Sequence, residues 1–392
     1  MKNNFIFLNV TTNYPQQFTA GNTKMEYMAT GLLQYNADVL AINSLNSRTA
    51  ENKDENGRSN AGVKFVTFNS HEKFRSLRSI IKTYKLLKRK KKDGKNILIM
   101  ATARTHIMLM DIFVAKLAGY KTLFLLHEWR SALKMHSAFH KIDAWLKDHF
   151  VIRFFDAYLP ISHFLLEKCN NVSKKKPKLI VPVMADYTTE PISQDIKPRF
   201  SYCCGVWYVM RHPMLLDAMD RLIEKHPTAE LMLILSGKEA DIELFKQTIK
   251  ECKCANNVRI RSKVPFDELN RIYQTSLGLI IPLDPNSTAD IARFSQKIAE
   301  YIATGRPIIT NAVGEIPYYF KDRESAYFAN YSADGFYEVM NEMMENIETT
   351  NKIGHSGYMV GREHFDSKVN AGKILDFIAP PPFNIVLNTL KK

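Results

Sequence analysis

Three groups of residues in this 392-residue chain have the types and spacing to do chemistry. The first lies in ARFSQKIAEYIATGRPIITNAVGEIPYYF, residues 292–320, where Ser295 is a good helix N-cap, Lys297 follows it and Glu300 projects one turn further in. A helix opening there offers unpaired backbone N–H groups and the positive end of its dipole to a diphosphate. Lys297 adds a full charge, and the Glu300 carboxylate can accept hydrogen bonds from ribose hydroxyls. The same residues also suit a capped helix carrying a surface Glu-Lys pair. The second is His127, which ends the apolar run KTLFLL just before Glu128-Trp129. At a strand terminus it can hydrogen-bond a hydroxyl or a leaving oxygen, or serve as a buried structural imidazole. The third is His136 with His140, at metal-ligand spacing on a helical stretch but with no third ligand apparent, so both are read as surface residues. Cys252-Lys253-Cys254 lacks a second pair at zinc-finger spacing, and Cys203 and Cys204 would point to opposite faces of a strand. No metal or other cofactor is expected.

These residues sit in an alternation of short apolar runs and longer amphipathic stretches. FIFLNV (5–10), ADVLAI (37–42), VKFVTF (63–68), NILIMA (96–101), KTLFLL (121–126) and DAYLPIS (156–162) read as strands with helices between them, and residues 44–62 read as an exposed loop. Residues 187–198 suit a linker, after which RFSYCCG, AELMLILSG, NVRIRS, LGLIIPL and RPIITN restart the pattern. Strand, helix, strand at this spacing implies parallel βαβ units, and the length favours two domains. The expected fold class is therefore α/β, with two successive doubly wound domains. Ligands of open parallel sheets lie beyond the carboxyl ends of the strands near a topological switch point, so the cleft between two such domains is the expected site.

The net charge of +14 is one-sided: residues 1–190 hold 30 Lys and Arg against 15 Asp and Glu, and the rest of the chain is almost neutral. Such a field attracts phosphate-rich partners, either nucleic acid or an anionic lipid surface. Aromatic-basic interleaving of the RNA-binding kind is missing, so nucleic acid is not expected. The N-terminal residues read as a strand without a signal-peptide cleavage site, five Cys is an odd number, and no apolar run is long enough to span a bilayer. A cytoplasmic protein with reduced thiols, peripheral at the inner face of the membrane, is the expectation. The stretch 71–95 places Phe74, Leu77, Ile81 and Tyr84 on one helical stripe beside Lys85, Lys88, Arg89, Lys90, Lys91 and Lys92, the composition of a helix at an anionic surface. A helix of such a domain must also bury one stripe against its sheet.

The segment 292–320 resembles the donor-binding signature of the large retaining glycosyltransferase group with the two-Rossmann-domain GT-B architecture, often called family 4. Glu300 matches the second Glu of that signature, Ala303-Thr304-Gly305-Arg306-Pro307 the helix end and strand start, and Gly314-Glu315-Ile316-Pro317 the turn. The first Glu is replaced by Ala292, while Phe294 stands where the family keeps a Phe. The resemblance implies a nucleotide-sugar site that includes Phe294, Ser295, Gln296, Lys297 and Glu300. Elsewhere it implies a Gly-rich loop at Gly21-Asn22 near the donor phosphate, and Arg211 at a position where the family has a diphosphate-binding Lys. Val206 replaces the family's Arg. Ser236-Gly237-Lys238 resembles the turn that approaches the nucleotide, the loop from Arg261 to Val264 the border of the base, and His127 the family's catalytic His.

What the resemblance implies overall is a retaining, metal-independent transfer of sugar from a nucleotide-diphosphate donor to a glycan or lipid-linked acceptor. No Asp-x-Asp triplet is present. The implied domains are an acceptor-binding domain over 1–190, a nucleotide-sugar-binding domain over 191–375, and a tail, 376–392, packing back on the first domain. A catalytically inactive GT-B relative serving as a membrane-surface binding or scaffold subunit is the competing expectation, and an epimerase on the same architecture is a further one.

Overall fold

Apolar runs of five or six residues form the inner strands of two parallel sheets, because strands covered by helices on both faces carry apolar side chains without alternation. The computed structural model describes the chain except for residues 1, 11–13, 16–19, 45–54, 69–76, 102, 133–136, 189, 192–194 and 380–392. It divides into one unit of Met1–Ala185, Ala292–Gln296 and the chain from Asp366 on, and a second of Asp186–Ile291 and Lys297–Phe365.

The sheet of the first unit contains β1 (Asn4–Leu8), β2 (Asp38–Asn43), β3 (Glu55–Arg58), β4 (Lys64–Thr67), β5 (Asn96–Met100), β6 (Lys121–Leu126) and β7 (Ala157–Pro160). Their order is β3-β4-β2-β1-β5-β6-β7, parallel except for β3. In register, Ile6 lies between Leu40 and Leu98, so the middle of the sheet is branched apolar side chains. β3 corrects the expectation of a loop over 44–62. Its four residues, ENGR, are all exposed at the sheet edge, so they carry none of the apolar signal by which a strand is read.

The second unit contains β8 (Lys197–Gly205), β9 (Glu230–Ser236), β10 (Val258–Ser262), β11 (Ser276–Ile281), β12 (Ile308–Thr310) and β13 (Tyr327–Phe328), in the order β10-β9-β8-β11-β12-β13 and all parallel. Numbered within each unit, and leaving aside the edge strand β3, both sheets follow the Rossmann order 3-2-1-4-5-6. The order reverses between β1 and β5 in one unit and between β8 and β11 in the other. Loops leaving the carboxyl ends of those strands therefore diverge and open a crevice in each unit.

The last described helix departs from the expected boundaries. Ser367–Phe377 belongs mostly to the span assigned to the second domain, yet it packs on Ala20–Gln34 of the first unit. Gly31 permits this: a Cβ there would stand 2.2 Å from the Ser367 carbonyl oxygen. Ala371, Ile374 and Phe377 complete the first core, and Ser367 N–H donates to the Ala185 carbonyl at 3.1 Å. The chain leaves the first unit at Ala185 rather than at 190. Residues 380–392 of the expected tail lie outside the described residues.

Candidate active site

The crevice of the second unit is built by the loops after β8, β9 and β11. Gly205 ends β8, the short helix Val206–Val209 follows, and Arg211 stands exposed with its guanidinium 6.0 Å from the Trp207 ring centroid. Among the described residues Arg211 has no carboxylate partner, which leaves a permanent cation open to an anionic ligand. His212, one residue on, is buried and pairs through Nδ1 with the Tyr331 hydroxyl at 2.9 Å. Burial raises the Tyr331 pKa, Asp284 and Asp290 raise it further, and Arg211 opposes them. Groups from the loops after β8, β11 and β13 thus act on one hydroxyl. The loop after β9 comes close to the same place. At Gly237, φ is 152° and a Cβ would lie 2.7 Å from Val206 Cγ1, so only glycine fits. Val264, past β10, is buried behind Lys263, whose φ is 53°.

Lys297 and Glu300 meet each other. Lys297 Nζ lies 2.6 Å from Glu300 Oε2, and the two side chains are 29% and 10% exposed. Burial works against the Lys297 charge, but Glu300 and Cys203 outweigh it and its pKa is pushed up to about 12. The pair rests on aromatic residues that sequence reasoning missed. Lys297 stands 5.8 Å over the Tyr273 ring, Tyr273 packs edge-on against Tyr301 at 4.7 Å, and Tyr301 Oη accepts from Cys203 N–H at 2.8 Å.

The residues just before Lys297 are engaged within the first unit. The helix is only Gln296–Ile302, and no hydrogen bond from its amides reaches the Ser295 hydroxyl among the described residues, so the predicted capping role is unfilled. Gln296 is buried and engages the backbone of Met184, donating from Nε2 to its carbonyl at 2.5 Å. Its amide anchors the chain and is not presented to a ligand. Phe294 and Ala292 are buried as well, and the Ala292 carbonyl accepts from Ser162 Oγ at 2.9 Å. The carboxylate missing at 292 has a neighbour in Asp290, which accepts from Asp284 N–H at 3.1 Å.

In the first unit, Gly21 and Asn22 lie within the first turn of the helix Ala20–Gln34 rather than in a loop, and Asn22 is buried. His127 ends β6, and its Nε2 is buried without a hydrogen-bond partner. Burial first, and then the charge of Lys24, hold its pKa well below the ordinary histidine value, so the imidazole is neutral at pH 7. Lys24 is the surprise of this unit. It is 3% exposed, donates to the Val181 carbonyl at 2.9 Å and has no carboxylate partner among the described residues. Burial keeps its pKa well below the usual lysine range. Its sequence position, inside an amphipathic helix, carries no sign of this.

Residues 197–346 match the family model described as Glycosyl transferases group 1. They form a glycosyltransferase group 1 domain. This glycosyltransferase domain spans the crevice of Arg211, Gly237 and Tyr331 and the Lys297–Glu300 pair. The whole chain has the GT-B fold of several solved structures. Sucrose-phosphate synthase from Thermosynechococcus elongatus matches at 12% identity and a TM-score of 0.74, over 95% of this chain and 97% of its own. Anabaena HepE in complex with UDP-glucose matches at 11% and 0.71, over 96% and 99%. The pneumococcal O-GlcNAc transferase GtfA in complex with UDP and GlcNAc matches at 10% and 0.66, over 95% and 98%. No curated protein sequence matches the chain.

Outside the glycosyltransferase domain, the basic stretch forms the helix Leu77–Lys90. It buries Ser79, Thr83, Leu86 and Leu87, not the predicted stripe: Ile81 is exposed and Tyr84 half-buried under Lys88. Phe74 lies outside the described residues. Lys85, Lys88, Arg89 and Lys90 are exposed, whereas Lys91 lies against Gly119 and Lys92 is 3.8 Å from Asp38. His140 is exposed, and His136 lies outside the described residues. No helix among the described residues is long and apolar enough to cross a membrane.

Proposed function

We propose that the protein is a retaining glycosyltransferase that moves a sugar from a nucleoside-diphosphate donor to a glycan or lipid-linked acceptor of the cell surface, working at an anionic membrane. Arg211 carries this proposal: an exposed, unpaired guanidinium at the switch point of a glycosyltransferase group 1 domain is the cation a departing diphosphate needs. Gly237 lets backbone approach the nucleotide, and Lys297 with Glu300 supplies charge and hydroxyl recognition at the same domain's second loop. The bond from the sugar anomeric carbon to the diphosphate oxygen breaks as the acceptor oxygen bonds to that carbon on the same face. The acceptor proton passes to the departing phosphate. Neutral His127 would hydrogen-bond a sugar hydroxyl. Loops and side-chain cations are assigned the charge stabilisation, so no metal is invoked.

Alanine at 292, valine at 206 and the commitment of Gln296 to Met184 favour a second possibility, a silent relative that binds without turnover. Release of nucleoside diphosphate from UDP-, GDP- and ADP-sugars separates the two. One nucleotide class should raise the melting temperature and be turned over, with a smaller shift in Glu300→Ala. Equal shifts in both proteins would remove Glu300 from the donor site, and binding without release would leave the silent relative.

A further inference from the structure

The helix Ala138–His149 of the first unit is inverted for a helix on the surface of a globular protein. It buries Ala144, Lys147 and Asp148, while Phe139, Ile142 and Trp145, at successive steps of three residues, are 69%, 60% and 56% exposed. Its two carboxylates turn inward: Asp143 accepts from Thr105 N–H at 3.1 Å and Asp148 from Ser131 N–H at 2.7 Å. Beside the apolar side chains the outer face keeps His140 and Lys141. The next turn, Val151–Phe154, packs against the helix and continues the face with exposed Phe150 and Phe154, whose rings meet at 5.2 Å, and with exposed Arg153. Single exposed apolar residues are ordinary on a protein surface; five on one helix and its next turn, three of them spaced along one helical stripe, exceed that background.

We propose that this aromatic face docks on an anionic lipid bilayer, with Phe139, Ile142 and Trp145 entering the headgroup region and Lys141 and Arg153 meeting lipid phosphate. Charge complementarity selects the occupant. The face carries bases and apolar rings with its acids turned inside, within a half-chain holding 30 Lys and Arg against 15 Asp and Glu, and that is the composition of an interfacial helix. A second copy meeting through the same face would set these cations against themselves with no carboxylate to answer them. The inference shares with the proposed function only the membrane as partner, and moves the main contact from the basic run at 88–92 to this helix.

Sedimentation with vesicles tests it, using phosphatidylcholine alone and phosphatidylcholine mixed with phosphatidylglycerol. Binding is expected to the mixed vesicles, to weaken with salt, and to fall at least about tenfold in Phe139→Ser/Ile142→Ser/Trp145→Ser. The exposure of all three positions keeps that variant folded, which circular dichroism checks. Bromolipids should quench tryptophan emission in the wild type, and much less in Trp145→Phe, which still binds. Unchanged binding in the triple variant, or loss only in Lys88→Glu/Arg89→Glu/Lys90→Glu, would overturn the inference. So would a dimer in light scattering that ignores vesicles and becomes a monomer on triple substitution. Release of nucleoside diphosphate in solution, measured in parallel, is unaffected by the triple substitution; its absence in all proteins counts against the transferase and not against this face.

Discussion

The two units share a strand order, and each opens a crevice where that order reverses, yet the cations near the two crevices are held in opposite ways. Arg211 of the second unit stands exposed, propped on Trp207 and open to a ligand. Lys24 of the first is buried, with one carbonyl as its partner and a neutral histidine within reach of its charge. Topology thus decides where a ligand can enter, while burial decides what the residues there can do: an exposed cation keeps its charge for an anion, and a buried one disfavours positive charge on itself and on a basic neighbour.

The sharpest way to break this comparison is Arg211→Ala. If that guanidinium is the free cation of the second crevice, affinity for a nucleoside diphosphate by calorimetry should fall about 10- to 100-fold, the worth of a charged hydrogen bond, with the melting temperature nearly unchanged. The first unit should respond to pH instead. Because the folded pKa of His127 lies below the unfolded value near 6.5, the unfolded chain binds the extra proton and stability falls as pH drops below that value. Between pH 7 and 5 the wild type should therefore lose stability as pH falls, and urea melts of His127→Gln should lack that part of the slope.

Glu300→Gln should cost about 1 to 2 kcal/mol in the same measurement, since it leaves a mostly buried Lys297 without its partner. Adding Lys297→Met should restore part of the loss, whereas additive losses would mean that the pair is not coupled. Gly237→Ala tests the approach of backbone in the second crevice. Its Cβ would meet a methyl of buried, β-branched Val206 at 2.7 Å with φ at 152°, so stability in urea melts should fall by about 1 to 3 kcal/mol, accompanied by weaker nucleotide binding.

Much of the fold was legible because parallel strands announce themselves locally. NILIM and SLGLII are mostly apolar and buried at every position, and they read as inner strands. β3 was not legible, because a polar edge strand looks like a loop. Among the site residues, Arg211 and Gly237 were reached through the family resemblance, though both also follow strand ends, where ligands of open parallel sheets are found. Asp284 was open to the same rule, and Tyr331 was not, since its relation to the crevice depends on a strand two residues long. Gln296 sits in a motif that suggests a ligand, yet its amide finds the Met184 backbone, a partner 112 residues away that no local pattern encodes.

Sequence alone determined the alternation of elements, the two parallel sheets, the one-sided charge and the segment 292–320, because these are set by neighbours within a few residues. Tertiary structure alone decided which face each helix buries. It hid Lys24, turned Phe139, Ile142 and Trp145 outward while drawing Asp143 and Asp148 in, and returned Ser367–Phe377 to the first core across nearly the whole chain. The physical reason is that a periodic pattern offers a helix more than one stripe to bury, and only the shape and polarity of distant partners select among them.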